Sequence, residues 1–276
     1  MKSINCSGTL IDLTSPKIMG ILNVTPDSFF DGGNYNNLTA ILNQVEKMLS
    51  EGATFIDVGA YSSRPGAKRI SEEEELNRIL PVIELLTSEF SKILISVDTF
   101  RSNIAKQCIH KGSCMVNDIS AGNMDATMFS TIAELQVPYI MMHMQGTPQN
   151  MQNNPTYKNV VEEVLYFFSE KINELRSLGV NDIIADVGFG FGKTVEQNYK
   201  LLKHLALFKS LDVPTLVGIS RKSMLTKPLG ITENEALNAT TAANTIALLN
   251  GVNILRVHDV KEAVEAIKIV EQLIKS

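Results

Sequence analysis

Eight short apolar runs of the sequence each end in side chains that can bind or activate a polar molecule. Those side chains stand at Asn23, Asp57, Asp98, Asn117 with Asp118, His143, Asp186, Ser220–Lys222, and Arg256 with His258. Carboxylates accept from N–H donors, carboxamides both donate and accept, and an arginine fork suits phosphate oxygens. If the run ends lie together in space, the sequence predicts a polar ligand pocket.

Each of these residues also has a simpler structural explanation. An aspartate after a strand is commonly a helix N-cap, and a lysine is commonly a solvated surface residue. Eight polar ends in register are hard to explain in that way, so we favour the pocket. Lys222 follows Arg221 in a short turn, which favours a role in binding. For His143, a core histidine and a ligand contact remain equally open.

The elements that must position these residues alternate between strands and helices. The strand-like runs are Lys17–Asn23, Thr54–Gly59, Ile93–Asp98, Ser113–Asp118, Pro138–His143, Asp182–Asp186, Pro214–Gly218 and Asn253–Val257. Runs that are apolar nearly throughout are typical of parallel strands covered on both faces. Eight such units in 276 residues predict an α/β fold, a (β/α)₈ TIM barrel with its active site at the C-terminal face of the strands. A doubly wound open sheet is the alternative.

Local signals between the runs predict helix starts and one further element. Ser71–Glu74, Thr194–Gln197 and Thr232–Glu235 have the pattern of capping boxes. We interpret the acidic run Glu72–Glu75 as a solvated first helical turn rather than a cation site. The segment Lys2–Leu13 is expected to form a short N-terminal hairpin that plugs the bottom of the barrel.

The composition narrows the class of protein. The formal net charge is −5 and no stretch is rich in lysine and arginine, so nucleic-acid binding or membrane-surface binding has little support. The three cysteines, Cys6, Cys108 and Cys114, have no metal-type spacing and are expected to be reduced. No apolar run is long enough to span a membrane, no secretory leader is evident, and no linker divides residues 1–276. We therefore expect one barrel domain in a soluble cytoplasmic protein.

The segments that carry these residues resemble the dihydropteroate synthase family. In order along the chain they are MGILNVTPDSFFDGG, DVGAYSSRPGA, SVDT, VNDIS, MMHMQGTP, ADVGFGFGK, GISRKSML and ILRVHDV. The resemblance runs from about Lys17 to Val260. It implies a homodimeric transferase that condenses 6-hydroxymethyl-7,8-dihydropterin diphosphate with p-aminobenzoate. The products would be pyrophosphate and 7,8-dihydropteroate for folate synthesis, and the enzyme would be a sulfonamide target.

The resemblance also implies a pterin pocket with assigned side chains. The implied pterin contacts are Asp98, Asn117, Met142, Asp186, Phe191, Gly218 and Lys222. A carboxylate such as Asp186 can accept from the paired N–H donors of a pterin, while Lys222 can donate to the ring carbonyl. Met142 and Phe191 would be walls for the flat ring. The glycine-rich Gly188–Lys193 lacks the spacing of a nucleotide loop, so we interpret it as a close approach of backbone to the pterin.

A second set of implied contacts serves the diphosphate, the metal and the aromatic acid. The diphosphate contacts would be Asn23, Ser63, Arg256 and His258, and the p-aminobenzoate contacts Phe29, Arg64, Pro65, Lys222 and Ser223. Asn23 would contact Mg²⁺, the one implied cofactor, because a metal already balanced by diphosphate needs few protein ligands. Thr25–Gly33 would be a mobile lid in which Phe29 touches the substrate and Phe30 packs the lid against the barrel. Tyr61 either lines the p-aminobenzoate entrance or covers the barrel rim.

The implied mechanism needs no protein nucleophile, and no Ser-His-Asp or Cys-His arrangement indicates one. The C–O bond breaks early, and the pterin methylene cation is stabilised by Asp98 and Asp186 before the aryl amine attacks. The implied catalytic residues are Asp98, Lys222, Arg256 and His258. Two other functions remain open: a pterin-binding methyltransferase that serves a corrinoid protein, and a non-catalytic paralogue. Ser63-Arg64, Lys222 and Arg256-X-His258 favour the synthase over both.

Overall fold

The predicted closed barrel is present, and its eight strands are all parallel. The computed structural model describes residues 3–24, 35–63, 66 and 69–276. Around the barrel the strand order is β10-β3-β4-β5-β6-β7-β8-β9. These strands are β3 (Lys17–Asn23), β4 (Phe55–Gly59), β5 (Ile95–Asp98), β6 (Met115–Asp118), β7 (Tyr139–Met142), β8 (Ile183–Asp186), β9 (Thr215–Val217) and β10 (Ile254–Val257). Pairing of β10 with β3 closes the ring and excludes the open sheet.

Every predicted strand is present, and most begin one or two residues later than predicted. An apolar run shows which residues are buried, whereas a strand begins only where backbone hydrogen bonds to a neighbouring strand begin. The start of the apolar run and the start of the strand therefore differ at the bottom of the barrel. Pro138 and Pro214 illustrate the cause, because proline has no N–H to give to a ladder and both lie just before their strands. The C-terminal ends, which carry the polar residues, agree within one residue.

Helices cover the outside of the barrel. They are α1 (Tyr35–Glu51), α2 (Glu72–Glu89), α3 (Ser102–His110), α4 (Met128–Leu135), α5 (Val160–Ser177), α6 (Val195–Lys203), α7 (Ser223–Leu229), α8 (Leu237–Leu249) and α9 (Val260–Lys275). The Thr194 capping box is confirmed at α6. Thr232 also forms its box, but it opens a short 3₁₀ helix, Glu233–Glu235. No helix in the described part of the chain is long and apolar enough to cross a membrane.

The interpretation of Glu72–Glu75 as a solvated turn is wrong for its last member. Ser71 caps α2, accepting from the backbone N–H of Glu74 at 3.1 Å, but only this half of the predicted capping box forms, because the Glu74 side chain pairs with Arg78 instead. Glu75, however, is fully buried and pairs with Arg101. It shares the inward face of α2 with Ile79 and Val82, positions that helical periodicity places on one side. A run of four acidic residues at a helix start can thus hide one that faces the barrel.

The N-terminal hairpin fills the bottom of the barrel, as predicted. Its strands β1 (Ser3–Cys6) and β2 (Thr9–Asp12) pair antiparallel, with Ser3 opposite Asp12. Its buried residues pack with residues at or near the N-terminal ends of the barrel strands; this cluster comprises Ile4, Cys6, Leu13, Met19, Phe55, Cys114, Met115, Ile140, Ile184, Leu216 and Ile254. The hairpin is also tied by hydrogen bonds, because Asn5 donates its N–H to Asp182 at 2.9 Å and Leu13 accepts from Asn253 at 2.9 Å.

Removing a buried side chain next to this hairpin tests how much the plug stabilises the barrel. Leu13 is 0% exposed and Leu10 is 69% exposed. We expect Leu13→Ala to lower the free energy of unfolding by about 2–5 kcal/mol, because it leaves a cavity in a packed floor. Leu10→Ala is the matched control and should lie within about 0.5 kcal/mol of the parent chain. Urea unfolding measures both, and equal values for the two variants would contradict the plug.

Candidate active site

The polar strand ends converge on the C-terminal face of the barrel, as the fold requires. The strand register places Asp98 beside Gly59 on one side and Asn117 on the other. It also places Asp186 beside Met142. Asp57, Asn117 and Asp186 are all more than nine-tenths buried. Parallel strands in one barrel therefore bring together side chains that are far apart in sequence, as predicted.

Arg256 forms the centre of this group. Its Nε donates to Asp57 Oδ2 at 2.6 Å, and its Nη2 donates to Asp98 Oδ2 at 2.9 Å. Asn117 Nδ2 donates to the same oxygen of Asp57 at 2.9 Å. The guanidinium thus joins β10 to β4 and β5. Asp57, which had no assigned role, is fully buried, and its Oδ1 has no hydrogen-bond partner among the described residues.

The carboxyl group of Asp98 has an altered acidity. Burial, followed by the nearby Asp57 carboxylate, raises its pKa to about 7, and the attraction of Arg256 only partly offsets these effects. Asp98 therefore changes charge near neutral pH. Burial also raises the pKa of Asp186, opposed by Lys222 and by the Gly188 N–H, which donates to Asp186 Oδ1 at 2.8 Å. The face thus carries carboxyl groups in different environments, an arrangement typical of functional sites.

Lys222 lies opposite these carboxyl groups, at the start of α7. Its Nζ donates to the carbonyl of Phe189 and lies 4.4 Å from the centre of the Phe191 ring. Burial lowers the pKa of Lys222 to about 8, although the nearby Asp186 opposes this shift. The lysine, Asp186 and Phe191 therefore combine a cation, an anion and an apolar wall within one group. Ser223, the next residue, is the first of α7.

Lys193 was not assigned by the sequence analysis. It is 2% exposed, and its Nζ donates to the carbonyls of His143 at 3.1 Å, Gly188 at 2.9 Å and Phe191 at 3.0 Å. Burial lowers its pKa to about 7. The ammonium group ties the chain after β7 to the glycine-rich chain after β8. The position of Lys193 at the end of a glycine-rich stretch is the sequence feature that could have indicated its role. Only the fold shows that its side chain turns inward.

Two histidines on this face differ in environment. His143 is buried, burial lowers its pKa to about 2, and its ring packs edge-on against Phe167 at 4.9 Å. These contacts favour the core histidine of the two interpretations. His258 is half-buried, and its Nδ1 shares a hydrogen bond of 3.0 Å with Ser220 Oγ. Ser220 therefore orients the imidazole at the barrel rim.

The remaining predicted site residues fall into three groups. Met142 belongs to a small apolar cluster with Tyr61, Phe100 and Ile119, and Phe191 packs against that cluster. Asn23, the last residue of β3, and Ser63, after β4, are half-buried, and a side chain at Gly218 would contact Arg256. Phe29, Phe30, Arg64 and Pro65, with the proposed lid Thr25–Gly33, lie outside the described residues.

An open cavity of about 600 Å³ lies away from these carboxylates. It is lined by residues that include His143, Tyr157, Glu163, Tyr166 and Phe167, between the chain after β7 and helix α5. None of the strand-end aspartates lines it. We place the candidate site at the strand ends because the buried charges and the altered pKa values are there. Within the described ranges, no group of three histidine, cysteine or carboxylate side chains is placed to hold a metal ion.

The contact between the two loops that Lys193 joins can be tested through a pair of glycines. Gly188 has φ +69°, and a Cβ there would lie 2.0 Å from the His143 carbonyl oxygen; Gly179 has φ +81° and open space. We expect Gly179→Ala to cost about 1–2 kcal/mol of unfolding free energy from backbone strain alone. Gly188→Ala should cost about 1–3 kcal/mol more, because the two loops must separate. Denaturant melts measure the difference, and equal costs would disprove the tight contact.

Comparisons with known proteins agree with this architecture. A family model described as "Pterin binding enzyme" matches residues 19–258. The dihydropteroate synthase of Escherichia coli (strain K12) is 44% identical over 266 residues, which is 96% of this chain and 94% of the relative. The Yersinia pestis dihydropteroate synthase, solved with a sulfonamide drug complex, has a TM-score of 0.93 at 42% identity, covering 99% of this chain and 100% of that one.

A third similar protein was solved with molecules that bear on function. The Xanthomonas albilineans dihydropteroate synthase with 4-aminobenzoic acid has a TM-score of 0.92 at 36% identity, covering 99% of this chain and 98% of that one. In complex with 7,8-dihydropteroate, it has a TM-score of 0.88 at 34% identity over 99% of both chains. Identity at this level over nearly the full length identifies the family. The chain belongs to the dihydropteroate synthase family of pterin-binding enzymes.

Proposed function

We propose that this chain condenses 6-hydroxymethyl-7,8-dihydropterin diphosphate with p-aminobenzoate, giving 7,8-dihydropteroate and pyrophosphate for folate synthesis. The observation that carries the proposal is the group of Asp98, Asn117, Asp186, Lys222 and Arg256 on one face of the barrel. This group offers acceptors for pterin N–H groups and cations for the ring carbonyl and the diphosphate. The Xanthomonas relative, solved with 4-aminobenzoic acid and with 7,8-dihydropteroate, supports the same substrates.

Pterin recognition follows from the hydrogen-bonding capacity of the buried residues. Asp186 accepts from the ring N–H and the adjacent amino group, a two-point contact that a carboxylate makes well. Asn117 both donates and accepts at the mixed edge of the ring, and Lys222 donates to the ring carbonyl. Met142 and Phe191 supply the apolar walls. Asn117 and Asp186 are buried, and each already has a hydrogen bond within the protein that the bound pterin would share or replace.

The diphosphate is held by Arg256 and by polar side chains at the rim of the barrel. The Arg256 guanidinium has five N–H donors, and its bonds to Asp57 and Asp98 use two of them. His258, oriented by Ser220, and the Ser63 hydroxyl add donors at the rim. Asn23 would offer one neutral amide oxygen to Mg²⁺, a metal that needs few protein ligands when diphosphate is bound. The metal, when bound, supplies charge neutralisation to the leaving group.

The reaction then proceeds by separation of charge. The bond between the pterin methylene carbon and the diphosphate oxygen breaks, and pyrophosphate leaves with the electron pair. The cation that remains is conjugated with the pterin ring, and the ionised carboxylates of Asp98 and Asp186 stabilise it through preorganised charge. The amine of p-aminobenzoate attacks this carbon and then loses a proton. Lys222 and Arg256 hold the ring and the leaving group in line during the transfer.

A homodimer is part of the proposal. Helix α8 carries apolar side chains on its outer face as well as its inner one, with Leu237, Ile246 and Leu249 exposed. A helix that is apolar on both sides is normally covered on both sides. Exposed apolar patches of this kind mark protein contacts. A second copy of the chain is the partner that the family resemblance implies.

We also propose that sulfonamides occupy the p-aminobenzoate position.

Pyrophosphate release tests the proposed reaction directly. Purified protein mixed with the dihydropterin diphosphate, p-aminobenzoate and Mg²⁺ should release pyrophosphate and form dihydropteroate in equal amounts. A corrinoid-dependent methyltransferase or a non-catalytic paralogue should release none. Lys222→Met should reduce kcat/KM by about 10²–10³, because the ring carbonyl loses its cation. Lys200→Met, at an exposed position on α6, is the control and should behave like the parent enzyme.

The altered pKa values predict a bell-shaped pH dependence of kcat/KM. Asp98 acts as an anion and its pKa is raised to about 7, so activity should rise with pH through that value. Lys222 acts as a cation and its pKa is lowered to about 8, so activity should fall above that value. Such a profile reports the free enzyme. Asp98→Asn should flatten the acid limb, and Lys222→Arg should remove the alkaline limb, since arginine stays charged.

A control variant distinguishes the effect of Asp98 on the pH profile from that of carboxylates elsewhere in the chain. The pKa of Asp125 is lowered to about 2 by hydrogen bonds that outweigh its desolvation, including one from the Ser102 N–H. Asp125→Asn should therefore leave both limbs in place. If the acid limb of Asp98→Asn matched that of the parent enzyme, Asp98 would not be the group that titrates, and its role in stabilising the cation would be wrong.

A further inference from the structure

Arg101 lies three residues after Asp98, beyond the end of β5, and takes no part in the proposed chemistry. Its guanidinium contacts the chain that leads into α2. Nη1 donates to the Ser71 carbonyl at 3.1 Å, and Nη2 donates to the Ile70 carbonyl at 2.7 Å. Nη1 also pairs with the Glu75 carboxylate. One planar fork thus holds two consecutive carbonyls and the first buried residue of the following helix.

The same guanidinium also holds the chain that leaves β4. It lies 5.1 Å from the ring centre of Phe100 and 5.7 Å from that of Tyr61. The two rings meet edge to face, with centres 5.0 Å apart. Tyr61 is fixed at its other end by Gln149, whose Nε2 donates to the tyrosine oxygen at 3.0 Å. Tyr61 is therefore held on two sides, and both of its interpretations stay predictions.

The position of Arg101 is itself tightly determined. Glu75 is fully buried, and a buried carboxylate requires a partner. Thr99 supplies a second contact, since its Oγ1 donates to Glu75 Oε1 at 2.7 Å and accepts from the Arg101 N–H at 3.2 Å. Thr99 directly follows Asp98. The network therefore fixes the arginine relative to a residue of the candidate site rather than relative to the surface.

We propose that Arg101 is a positioning residue that fixes both described ends of the segment from Tyr61 to Ser71. Through those ends it sets where Ser63 stands relative to Asp98. The inference rests on the proposed function, in which Ser63 contacts the diphosphate. Arg101 acts through two backbone carbonyls and one aromatic ring, and it does not touch the substrate. The described structure gives no other cation that contacts both ends of this segment.

The chemistry requires arginine rather than any cation. A lysine is a point charge and keeps the pairing with Glu75, but it cannot donate to two consecutive carbonyls while also contacting an aromatic ring. Arg101→Lys therefore removes the positioning and retains the buried charge pair. The double variant Arg101→Met/Glu75→Gln removes both charges together, so no buried carboxylate is left alone. Arg78→Met is the matched control, since Arg78 pairs with the exposed Glu74 on the same helix.

Steady-state kinetics test the proposal against simple structural damage. For Arg101→Lys we expect the KM values for the dihydropterin diphosphate and for p-aminobenzoate to rise about tenfold or more, since small misplacements are costly. The Kd for 6-hydroxymethylpterin, which lacks the diphosphate, should stay within about twofold, because Asn117, Asp186 and Lys222 lie on elements that Arg101 does not contact. The double variant should show the same split, and Arg78→Met should match the parent enzyme. A pterin Kd that weakens in step with both KM values would overturn the proposal.

Hydrogen exchange gives a readout that does not depend on activity. Amides of residues 61–63 and 69–71 should exchange about tenfold faster in Arg101→Lys than in the parent chain, while peptides from α9 should be unchanged. Unchanged exchange at residues 61–63 and 69–71 would overturn the positioning role. A parent enzyme that releases no pyrophosphate would instead remove the proposed function. The two failures are therefore distinguishable.

Discussion

The contact between Arg256 and two carboxylates is the interaction on which the site depends. Arg256 reaches from the last strand of the barrel to Asp57 and Asp98 on two others. Two buried carboxylates so close together are tolerated because one guanidinium lies between them. The group therefore carries a residual negative charge whenever Asp98 is ionised. Such a site can hold a cationic intermediate while it still presents donors to an anionic leaving group.

The rest of the face is arranged around this charge balance. Lys222 and Asp186 oppose each other, and Lys193 supports the loop that carries Phe191 from beneath. Lys193 is buried and Lys222 is half-buried, and each is bonded to at least one backbone carbonyl, so its ammonium group contributes both geometry and charge. The apolar cluster of Tyr61, Phe100, Ile119 and Met142 lies beside these ions and lowers the local dielectric. Charges so placed act more strongly than they would in water.

The sequence predicted the structural elements correctly wherever a single local pattern of residues determined them. Apolar runs with polar ends predicted all eight barrel strands, and the hairpin followed from a short alternating segment. The sequence did not reveal pairings between distant residues. The burial of Glu75 depends on Arg101, which lies 26 residues away, and the inward turn of Lys193 depends on carbonyls from two loops. His143 was undecided because a histidine after a strand fits either a core or a ligand, and only its neighbours distinguish them.

The closed bottom of the barrel restricts the route by which ligands enter and leave the site. With Ile4 and Leu13 packed into the bottom, the described part of the chain leaves the rim at the strand ends as the route by which ligands reach the site. Of two partners that stack along the barrel axis, the deeper must arrive before the shallower and cannot depart past it. The order of binding is then a property of the architecture. Under the proposed function, the joined product leaves through the same rim by which its two halves entered.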